Sequence, residues 1–347
     1  MIIARAPVRI SLAGGGTDLP AYFEEFGGAV VSTSIDKYFY VFLNVSEDDS
    51  LQISSSDYRT FYRHDGGEPV LWDGDLRLPR AILNHFGIMR GLSMFLAPEI
   101  PPGTGLGSSS TVAVAIIKAV GTALGRNMDK YELAELACHI EIEKLGEPIG
   151  KQDQHAAAFG GLNWMEFTRE GVRVEPLRVS PEVLTSLERN LLSFFTGSSR
   201  SASEILQRQT RSSKRQEASV LEALHRVKAM AIEVRQALER GDLSTFGALL
   251  DENWAQKKRF AAGITNPRID QAYEMAKEAG ALGGKISGAG GGGFLLLYCE
   301  PDRQESVTQA LEPHGFKRMD YRFDQMGARV LMNAGLNIRS IATPVLA

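Results

Sequence analysis

A glycine- and serine-rich segment near the middle of the chain is the feature that most constrains its fold. Residues 101–111 read PPGTGLGSSST, and residues 112–124, VAVAIIKAVGTAL, predict an apolar helix directly after it. Glycines at alternate positions allow sharp turns, and the start of a helix presents unpaired N–H groups and the positive end of its dipole. These features together favour a phosphate-binding loop. The alternative is a flexible loop with a serine N-cap.

Length and composition predict a globular chain of two domains. The chain has 347 residues, of which 44% are hydrophobic and 23% charged. Its net charge of −4 argues against a general nucleic-acid binder. The pattern of elements changes around residues 180–190, so we place the N-terminal domain at residues 1–190 and the C-terminal domain at residues 191–347.

The cysteines and the start of the chain predict a cytoplasmic location. Cys138 and Cys299 are far apart in apolar surroundings, which is typical of buried free thiols in a reducing compartment, and they show no metal-binding spacing. Arg5 and Arg9 interrupt the first apolar stretch, so it lacks the core of a signal peptide. No apolar run approaches the length of a membrane span, and we expect no membrane partner.

Periodicity predicts several strands before the first long helix, which favours an α+β fold over repeated βαβ units. The strands predicted in the first half cover residues 2–13, 30–31, 38–43, 51–54, 92–96, 162–167 and 172–179, with a short helix at 79–86. Asp129 and Glu132 predict a capping box for a helix that ends before Gly146, and a turn reading GKQDQ follows. The second half alternates strands at 191–196, 294–299, 316–323 and 328–332 with helices that end at Gly241 or cover 242–260, 267–280 and 302–311.

The sequence does not meet the requirements of two familiar phosphate-binding loops, the Walker A loop and the Rossmann dinucleotide-binding loop. A Walker A loop needs a lysine before its serine, but Gly107 precedes Ser108. The pattern G-x-G-x-x-G occurs at Gly288, Gly290 and Gly293, but the run that follows it, FLLL, predicts a strand where a dinucleotide site needs a helix. Hydride transfer is therefore not expected.

Three segments in order resemble the three motifs of the GHMP kinases, the superfamily of galactokinase, homoserine kinase, mevalonate kinase and phosphomevalonate kinase. They are APVRISLAGGGTD, PPGTGLGSSS and GGKISGAGGGGF, and they extend over nearly the whole chain. Within the superfamily the chain resembles the bacterial heptose-phosphate kinases in PVRISLAGGGTDLPAYF, IDKYFYV, GKQDQHAAAFGG, FTGSSRSASEIL and NWAQKKRF. The resemblance implies a ribosomal protein S5 domain 2-like N-terminal domain, a ferredoxin-like C-terminal domain and an active site in the cleft between them.

The resemblance also implies ATP as phosphate donor and Mg²⁺ as cofactor. The residues expected to hold ATP are Pro102, Gly103, Gly105, Leu106, Gly107, Ser108, Ser109 and Ser110. Asp153 matches the general base of the family, and Arg9 matches the cation beside it. From the residues alone, an aspartate such as Asp153 is usually a cap or turn residue, and an arginine such as Arg9 more commonly forms a surface salt bridge at a strand edge.

A metal site is implied at Ser109 together with a carboxylate. Helical periodicity places Glu141 and Glu143 on opposite edges of one apolar stripe, and so cannot choose between them. The family pattern selects Glu141, five residues before Gly146, and leaves Glu143 as a solvated residue. One of the three serines is expected to act only as a helix cap.

The sugar is expected to contact the first glycine-rich turn and a loop opposite it. The substrate-binding residues implied are Gly15, Gly16, Thr17, Asp18, Gly197 and Arg200. Arg200 is assigned to a phosphate on the sugar, with Arg59, Arg63 and Arg80 as alternatives. We expect His155 to be packed or solvent-facing rather than catalytic, and the late glycine-rich motif to close the site over the phosphate loop.

The function implied is transfer of the γ-phosphate of ATP to the anomeric hydroxyl of D-glycero-D-manno-heptose 7-phosphate, giving the 1,7-bisphosphate for nucleotide-activated heptose. Two alternatives remain: a sugar 1-kinase acting on fucose or another sugar, and a non-catalytic sensor of sugar and ATP. A decarboxylase of the same superfamily fits the motifs less well. The sequence leaves the oligomeric state open, with a homodimer as one form.

Overall fold

The structure is a computed structural model that describes residues 1–56, 60–65, 74, 76–198, 202–215 and 217–342. The strands in these ranges are β1 (Ile2–Ala13), β2 (Gly28–Val45), β3 (Leu51–Ser55), β4 (Thr60–His64), β5 (Leu92–Pro98), β6 (Leu162–Thr168), β7 (Gly171–Pro176), β8 (Leu191–Phe195), β9 (Gly283–Ile286), β10 (Phe294–Tyr298), β11 (Lys317–Arg318) and β12 (Arg329–Asn333).

The helices are interspersed between these strands, and two of the helical segments are not α-helical. The α-helices are α1 (Pro20–Phe26), α2 (Arg77–His85), α3 (Ser108–Ala123), α4 (Lys130–Cys138), α5 (Gln152–Phe159), α6 (Pro181–Asn190), α7 (Ala202–Lys214), α8 (Ala218–Arg240), α9 (Leu243–Lys257), α10 (Pro267–Glu278) and α11 (Gln304–Leu311). A π-helical turn covers His139–Lys144, and a 3₁₀ turn covers Glu312–His314. No helix in the described part of the chain is long and apolar enough to cross a membrane.

The larger sheet is organised around β1 and β2. Its order is β12-β1-β2-β5-β3-β4, and the first part of β2 also pairs with β6, which pairs with β7. β1 and β2 are antiparallel, and their register shifts between Pro7 and Arg9 and again between Ser11 and Ala13. Because such bulges re-aim the side chains beside them, the first shift bears directly on where Arg9 points.

The predicted buried helix after the glycine- and serine-rich segment is confirmed. α3 packs on β1 and β2, and its apolar side chains belong to the core of the large sheet. The capping box is also confirmed: the Asp129 carboxylate accepts from the Glu132 N–H, and the Glu132 carboxylate accepts from the Asp129 N–H.

The smaller sheet is antiparallel, with the order β11-β8-β10-β9. Its central strand β10 is buried on both faces, and successive side chains alternate between two apolar clusters. Leu296 and Tyr298 pack with β1 and with α8 and α9, whereas Leu295 and Leu297 pack under α10. The first of these clusters joins the two sheets into one body and leaves a cleft at their edge.

The end of the chain does not follow the predicted division at residue 190. β12 pairs with β1 in the large sheet, and Ile338 is buried in the core of that sheet. The N–H of Ile338 also bonds to the Ala123 carbonyl at the end of α3. The strand covers the edge of β1 that β2 leaves open, and the local residue pattern carries no information about which sheet it joins.

The strand predicted at 316–323 is reduced to β11 (Lys317–Arg318), and β4 and α6 were not predicted. Three other differences lie beside the glycine-rich segments. Residues 150–154, expected to form a turn, lead into α5, so Asp153 lies in the first turn of a helix. α1 begins at Pro20, a favoured first helical position that was not used in the prediction. β9 lies inside the late glycine-rich motif because its glycines admit α9: a Cβ on Gly283 would lie 2.1 Å from the Gly247 carbonyl oxygen.

The return of the chain to the large sheet can be tested at two glycines with nearly the same backbone angle. Gly327 (φ +72°) lies where the C-terminal segment passes over α5, and a Cβ on it would lie 2.4 Å from the Ala158 carbonyl oxygen. A Cβ on Gly335 (φ +74°) would have no other atom within 4 Å. We expect Gly335→Ala to lower the free energy of unfolding by about 1 kcal/mol, the cost of a positive φ.

Gly327→Ala should cost about 2 kcal/mol more, because it adds a clash with backbone that cannot move aside. Urea unfolding of the two variants measures the difference directly. Equal losses would contradict the close crossing of α5 by the C-terminal segment.

Candidate active site

The three glycine-rich segments meet at a cleft between the two sheets. A cavity of about 180 Å³ is lined by residues from β1 and the turn after it, the 101–111 loop, α5, α7, α9 and the late motif. Elements that are more than two hundred residues apart in the chain therefore contribute to one site.

Glycine is required where the late motif packs on the loop before α3. A Cβ on Gly105 would lie 2.3 Å from the Ser287 carbonyl oxygen, and one on Gly293 would lie 2.2 Å from the Thr104 carbonyl oxygen. The N–H of Phe294 donates to that same Thr104 carbonyl. The predicted role of the late motif, backbone packing against the loop, thus agrees with the contacts.

Arg9 and Asp153 form a bidentate ion pair at the centre of the cleft. The Nε and Nη2 atoms of Arg9 donate to the Oδ1 and Oδ2 atoms of Asp153 at 2.7 and 2.8 Å. Nη1 of Arg9 donates to the Gly105 carbonyl at 2.6 Å, and its backbone N–H donates to the Leu106 carbonyl. Arg9 is buried, while the Asp153 carboxylate remains partly open to the cavity. One side chain therefore fixes both the carboxylate and the loop.

Asp18 is a second carboxylate in the cavity and is fully buried. Its Oδ1 accepts from the Gly16 N–H at 2.9 Å and its Oδ2 from the Gln152 N–H at 3.3 Å. Burial raises the pKa of Asp18, and the negative charge of Asp153 raises it further, while the two N–H donors oppose the shift. Gly150 permits this packing, since a Cβ there would lie 1.9 Å from Oδ2 of Asp18.

Ser109 and Glu141 meet on the other side of the loop. The Ser109 hydroxyl donates to Oε1 of Glu141 at 3.0 Å, and Nε2 of Gln154 donates to Oε2 at 2.7 Å. Burial raises the pKa of Glu141 to about 7, against the lowering effect of hydrogen bonds from Gln154, Ser110 and Ser109. Glu143 is exposed and pairs with His139.

The π-helical turn explains why helical periodicity could not separate these two glutamates. Glu141 and Glu143 both lie in His139–Lys144, where the backbone departs from the α-helical repeat. The extra residue of a π turn changes the direction of the side chains, and here it places Glu141 in the interior.

A second cavity of about 250 Å³ lies beyond the Ser109–Glu141 pair. Both residues line it, together with apolar side chains that include Phe39, Leu76, Pro79, Leu96, Val112 and Leu145. Ser109 lines both cavities and therefore lies between them.

The cavities include most, but not all, of the predicted binding residues. The first is lined by Gly15, Gly16, Asp18, Gly103, Gly105, Gly107, Ser108 and Ser109. Pro102, Leu106, Ser110, Thr17 and Gly197 do not line either cavity. Leu106 points into the core, and the Thr17 hydroxyl bonds to backbone at Gly14 and Ala29, so these two side chains are engaged in packing and turn formation instead.

The arginines proposed for a sugar phosphate lie elsewhere or outside the described residues. Arg59 and Arg200 fall outside the described ranges. Arg63 pairs with Asp48 at the surface, and Arg80 packs over the Tyr62 ring. His155 is buried, as expected, with its Nδ1 atom 2.8 Å from the Lys151 carbonyl oxygen.

Two lysines in the cavity were missed by sequence reasoning. Lys257 and Lys285 both line it and are almost fully buried. Burial lowers the pKa of Lys257 to about 7, with Arg9 acting in the same direction and Asp18 against it. The segments NWAQKKRF and GGKISGAG were recognised for their resemblance, but a lysine in either pattern is ordinarily a solvated residue.

Two further polar residues of the cavity were also missed. The Ser11 hydroxyl and Oε1 of Gln152 are buried, line the cavity and have no hydrogen-bond partner among the described residues. Buried polar atoms are nearly always hydrogen-bonded in a folded protein. Both residues line the cavity, so these side chains are candidates for contact with a bound ligand.

Comparisons with known proteins identify the family to which this chain belongs. The family model for the GHMP kinases N terminal domain matches residues 76–161, and the model for the GHMP kinases C terminal domain matches residues 234–317. The D-glycero-alpha-D-manno-heptose 7-phosphate kinase of Campylobacter jejuni is 34% identical over 94% of this chain and 98% of its own. The chain belongs to the GHMP kinase superfamily.

Solved structures agree with this assignment. A crystal structure titled as a D-glycero-D-manno-heptose 1-phosphate kinase from Bacteroides thetaiotaomicron superposes with a TM-score of 0.80 at 30% identity, over 96% of this chain and all of that one. The L-fucokinase/L-fucose-1-P guanylyltransferase of Bacteroides fragilis is 28% identical over 88% of this chain. The matched region covers 35% of that longer protein. The predicted family and two-domain α+β fold are confirmed, and this GHMP kinase is a phosphotransferase that uses a hydroxyl group as acceptor.

The bidentate geometry of Arg9 predicts that lysine will not replace it. Lysine cannot span both carboxylate oxygens and the Gly105 carbonyl, so Asp153 and the loop would lose their common support. We expect Arg9→Lys to lower kcat about 100-fold through this misplacement. Arg5→Lys, a change on the same strand at a side chain that stacks on Tyr38, is the matched control and should remain near wild type. Equal kcat values for Arg9→Lys and Arg5→Lys would contradict the requirement for the bidentate Arg9–Asp153 ion pair.

Proposed function

We propose that this protein is the ATP-dependent kinase of D-glycero-D-manno-heptose 7-phosphate, acting on the anomeric hydroxyl to give the 1,7-bisphosphate. The chemistry rests on one observation, the Asp153 carboxylate held by Arg9 beside the phosphate loop. The choice of sugar is supported by the near-full-length similarity to the C. jejuni heptose 7-phosphate kinase. We place the reaction in the cytoplasm, where ATP is supplied and the buried thiols of Cys138 and Cys299 remain reduced.

ATP fits the site with its phosphates on the 103–111 loop. The loop and the first turn of α3 present backbone N–H groups and the positive end of the helix dipole to the β- and γ-phosphates. The cavity beyond Ser109 is suited to the adenine and ribose, because it adjoins the start of α3 and combines aliphatic side chains and Phe39 with the polar side chains of Arg77 and Glu147.

Asp153 is the general base of the proposed reaction. It takes the proton of the anomeric hydroxyl while the hydroxyl oxygen forms a bond to the γ-phosphorus. The bond between that phosphorus and the β–γ bridging oxygen breaks, and ADP leaves with the electron pair. Arg9 orients the carboxylate and places positive charge beside the oxygen that loses its proton.

Ser109 and Glu141 are the residues that would hold Mg²⁺. Carboxylate and hydroxyl oxygens suit this ion, and the two side chains lie in hydrogen-bond contact where the phosphates are expected. The described residues contain no cluster of three or more potential metal ligands, which fits an ion whose other ligands are phosphate oxygens and water. When bound, Mg²⁺ supplies charge neutralisation of the β- and γ-phosphates.

The sugar is placed between the first glycine-rich turn and α5. Asp18 can accept from sugar hydroxyls, and the unpartnered Ser11 and Gln152 atoms lie in the same cavity. Gly15 and Gly16 keep this side of the cavity open. Arg200 remains our candidate for a phosphate on the sugar, although it is outside the described residues.

A substrate panel tests the proposal and its alternatives. The relatives disagree in name, since the B. thetaiotaomicron structure is titled a heptose 1-phosphate kinase and the B. fragilis protein an L-fucokinase. We expect the purified protein with Mg·ATP to prefer heptose 7-phosphate over heptose 1-phosphate, unphosphorylated heptose and L-fucose, and ³¹P NMR should place the new phosphate on C1.

Asp153→Asn on the same panel should lower kcat about 1,000-fold with little change in ATP affinity, since only the base is lost. Preference for fucose would support the alternative sugar kinase, and the absence of ATP turnover with any sugar would support the sensor. Near-normal turnover by Asp153→Asn would remove its assignment as the base.

The metal site is tested by two neighbouring glutamates. Glu141→Gln should raise the Mg²⁺ concentration for half-maximal activity about 10-fold or more, because the ion loses its carboxylate ligand. Glu143→Gln changes an exposed side chain two residues away and should leave that concentration unchanged. The same shift in both variants, or in neither, would contradict the proposed site.

A further inference from the structure

Two buried lysines enter the cleft from different elements. Lys257 is the last residue of α9 and is 7% exposed, and Lys285 lies in β9 and is 2% exposed. Lysine is almost never fully buried without a charged partner, because removing an ammonium ion from water is costly. A pair of them lining one cavity therefore calls for an explanation.

Both ammonium groups are anchored on backbone carbonyl oxygens. Nζ of Lys257 donates to the Ile286 carbonyl at 3.0 Å and to the Gly288 carbonyl, and Nζ of Lys285 donates to the Leu12 carbonyl at 3.2 Å. An ammonium group has three N–H donors. Within the described residues, these contacts leave one donor on Lys257 and two on Lys285 for a ligand in the cavity.

The anchor places Lys257 next to the phosphate loop. Gly288, whose carbonyl binds Lys257, packs on Gly105, since a Cβ on Gly288 would lie 2.5 Å from the Gly105 Cα. The Gly105 carbonyl in turn binds Arg9. Lys257 and Arg9 are thus attached to opposite sides of one backbone contact, between the loop and the late motif.

The charges in this part of the cavity do not balance. Positive groups come from β1 (Arg9), α9 (Lys257) and β9 (Lys285), and negative groups come from the first glycine-rich turn (Asp18) and α5 (Asp153). Arg9 is already paired with Asp153, so Asp18 alone faces the two lysines. Burial lowers the pKa of both lysines, and Arg9 lowers them further. With all five groups ionised the cavity has one excess positive charge, and a phosphate bound here would place negative oxygens beside both lysines.

From this arrangement we propose that Lys257, supported by Lys285, is a phosphate-binding residue of the cleft. The proposal rests on the proposed kinase function, because that function supplies two phosphate groups that Lys257 could bind. One is the γ-phosphoryl group of ATP, and the other is the phosphate carried by the sugar. A third donor, the buried Ser11 hydroxyl that lacks a partner, lies in the same cavity.

Binding should be linked to proton uptake. Burial lowers the pKa of Lys257 to about 7, so a substantial fraction of its side chains is neutral at pH 8. A phosphate dianion favours the charged form and raises this pKa, so the complex takes up a proton as it forms. A sugar phosphate is already fully ionised at pH 8 and contributes no proton of its own.

The neighbouring lysine provides a matched control. Lys258 is exposed, with its ammonium over the Trp254 ring, so Lys258→Met changes the same residue type without reaching the cavity. Lys257→Met removes the anchored ammonium but keeps an unbranched side chain of similar length. Because Lys257→Met leaves the Ile286 and Gly288 carbonyls without this donor, thermal unfolding of both variants is measured to separate a loss of stability from a loss of binding.

Calorimetric titration at pH 8 separates the two phosphate sources. The ligands are a non-hydrolysable ATP analogue with Mg²⁺, heptose 7-phosphate, inorganic phosphate and unphosphorylated heptose. We expect Lys257→Met to weaken a phosphate-bearing ligand about 10-fold or more relative to Lys258→Met. Weaker binding of the ATP analogue by Lys257→Met assigns Lys257 to the γ-phosphoryl group. Weaker binding of heptose 7-phosphate assigns it to the sugar phosphate. Unphosphorylated heptose should bind both variants equally.

Repeating the titrations in two buffers of different ionisation enthalpy measures the proton uptake of the wild-type protein, even if Lys257→Met does not fold. No uptake with any phosphate ligand, or unchanged affinity for all of them in Lys257→Met, overturns the proposal. Equal weakening of phosphorylated and unphosphorylated heptose, with no change for inorganic phosphate or the ATP analogue, also overturns it. The inorganic phosphate and ATP analogue arms do not depend on the identity of the sugar, so a wrong sugar assignment is distinguishable from a wrong role for Lys257.

Discussion

The ion pair between Arg9 and Asp153 is the interaction on which the arrangement of the site depends. Arg9 follows a bulge in β1, the most deeply buried strand of the large sheet, so its backbone position is fixed by the core. Asp153 lies in the first turn of α5, where free N–H groups and the helix dipole favour a carboxylate. The third guanidinium nitrogen, Nη1, donates to the Gly105 carbonyl. The pair thereby links the proposed general base, the loop before α3 and the sheet.

The glycines of the three motifs have different physical tasks. Those near Gly105 and Gly288 let two backbone segments touch, which brings the second domain against the loop. Gly150 makes room for Asp18, and Gly283 makes room for α9. These are requirements of close packing rather than of flexibility, because the added Cβ atoms would meet backbone or buried carboxylate atoms. The cleft is consequently closed by contacts that tolerate no larger side chain.

The sequence alone predicted the features that depend on local pattern. The buried helix after the loop and the Asp129 capping box followed from spacing and residue type, the superfamily followed from the resemblance of three motifs, and all three are confirmed. The position of β12 in the large sheet was not predictable, because strand pairing between distant segments leaves no local signal. Glu141 required knowledge of a π turn, which periodicity does not show.

The lysines of the cleft were missed for a different physical reason. A lysine at the end of a helix or inside a short strand is normally solvated, and only the tertiary fold buries Lys257 and Lys285 beside Arg9. The assignment of Asp153 as base illustrates the converse case, since its residue pattern was that of a turn and the family resemblance alone suggested a role. The structure adds the bidentate partner and the open side that such a role requires.

The central claim is that Asp153, fixed by Arg9, faces the hydroxyl that attacks ATP. The most direct measurement is a crystal structure of the protein with Mg²⁺, a non-hydrolysable ATP analogue and heptose 7-phosphate. We expect the anomeric hydroxyl to lie about 2.6–3.2 Å from an Asp153 oxygen and in line with the γ-phosphorus, with the phosphates on the 103–111 loop. A sugar whose anomeric hydroxyl lies out of reach of Asp153, or whose phosphate occupies that position instead, would contradict it.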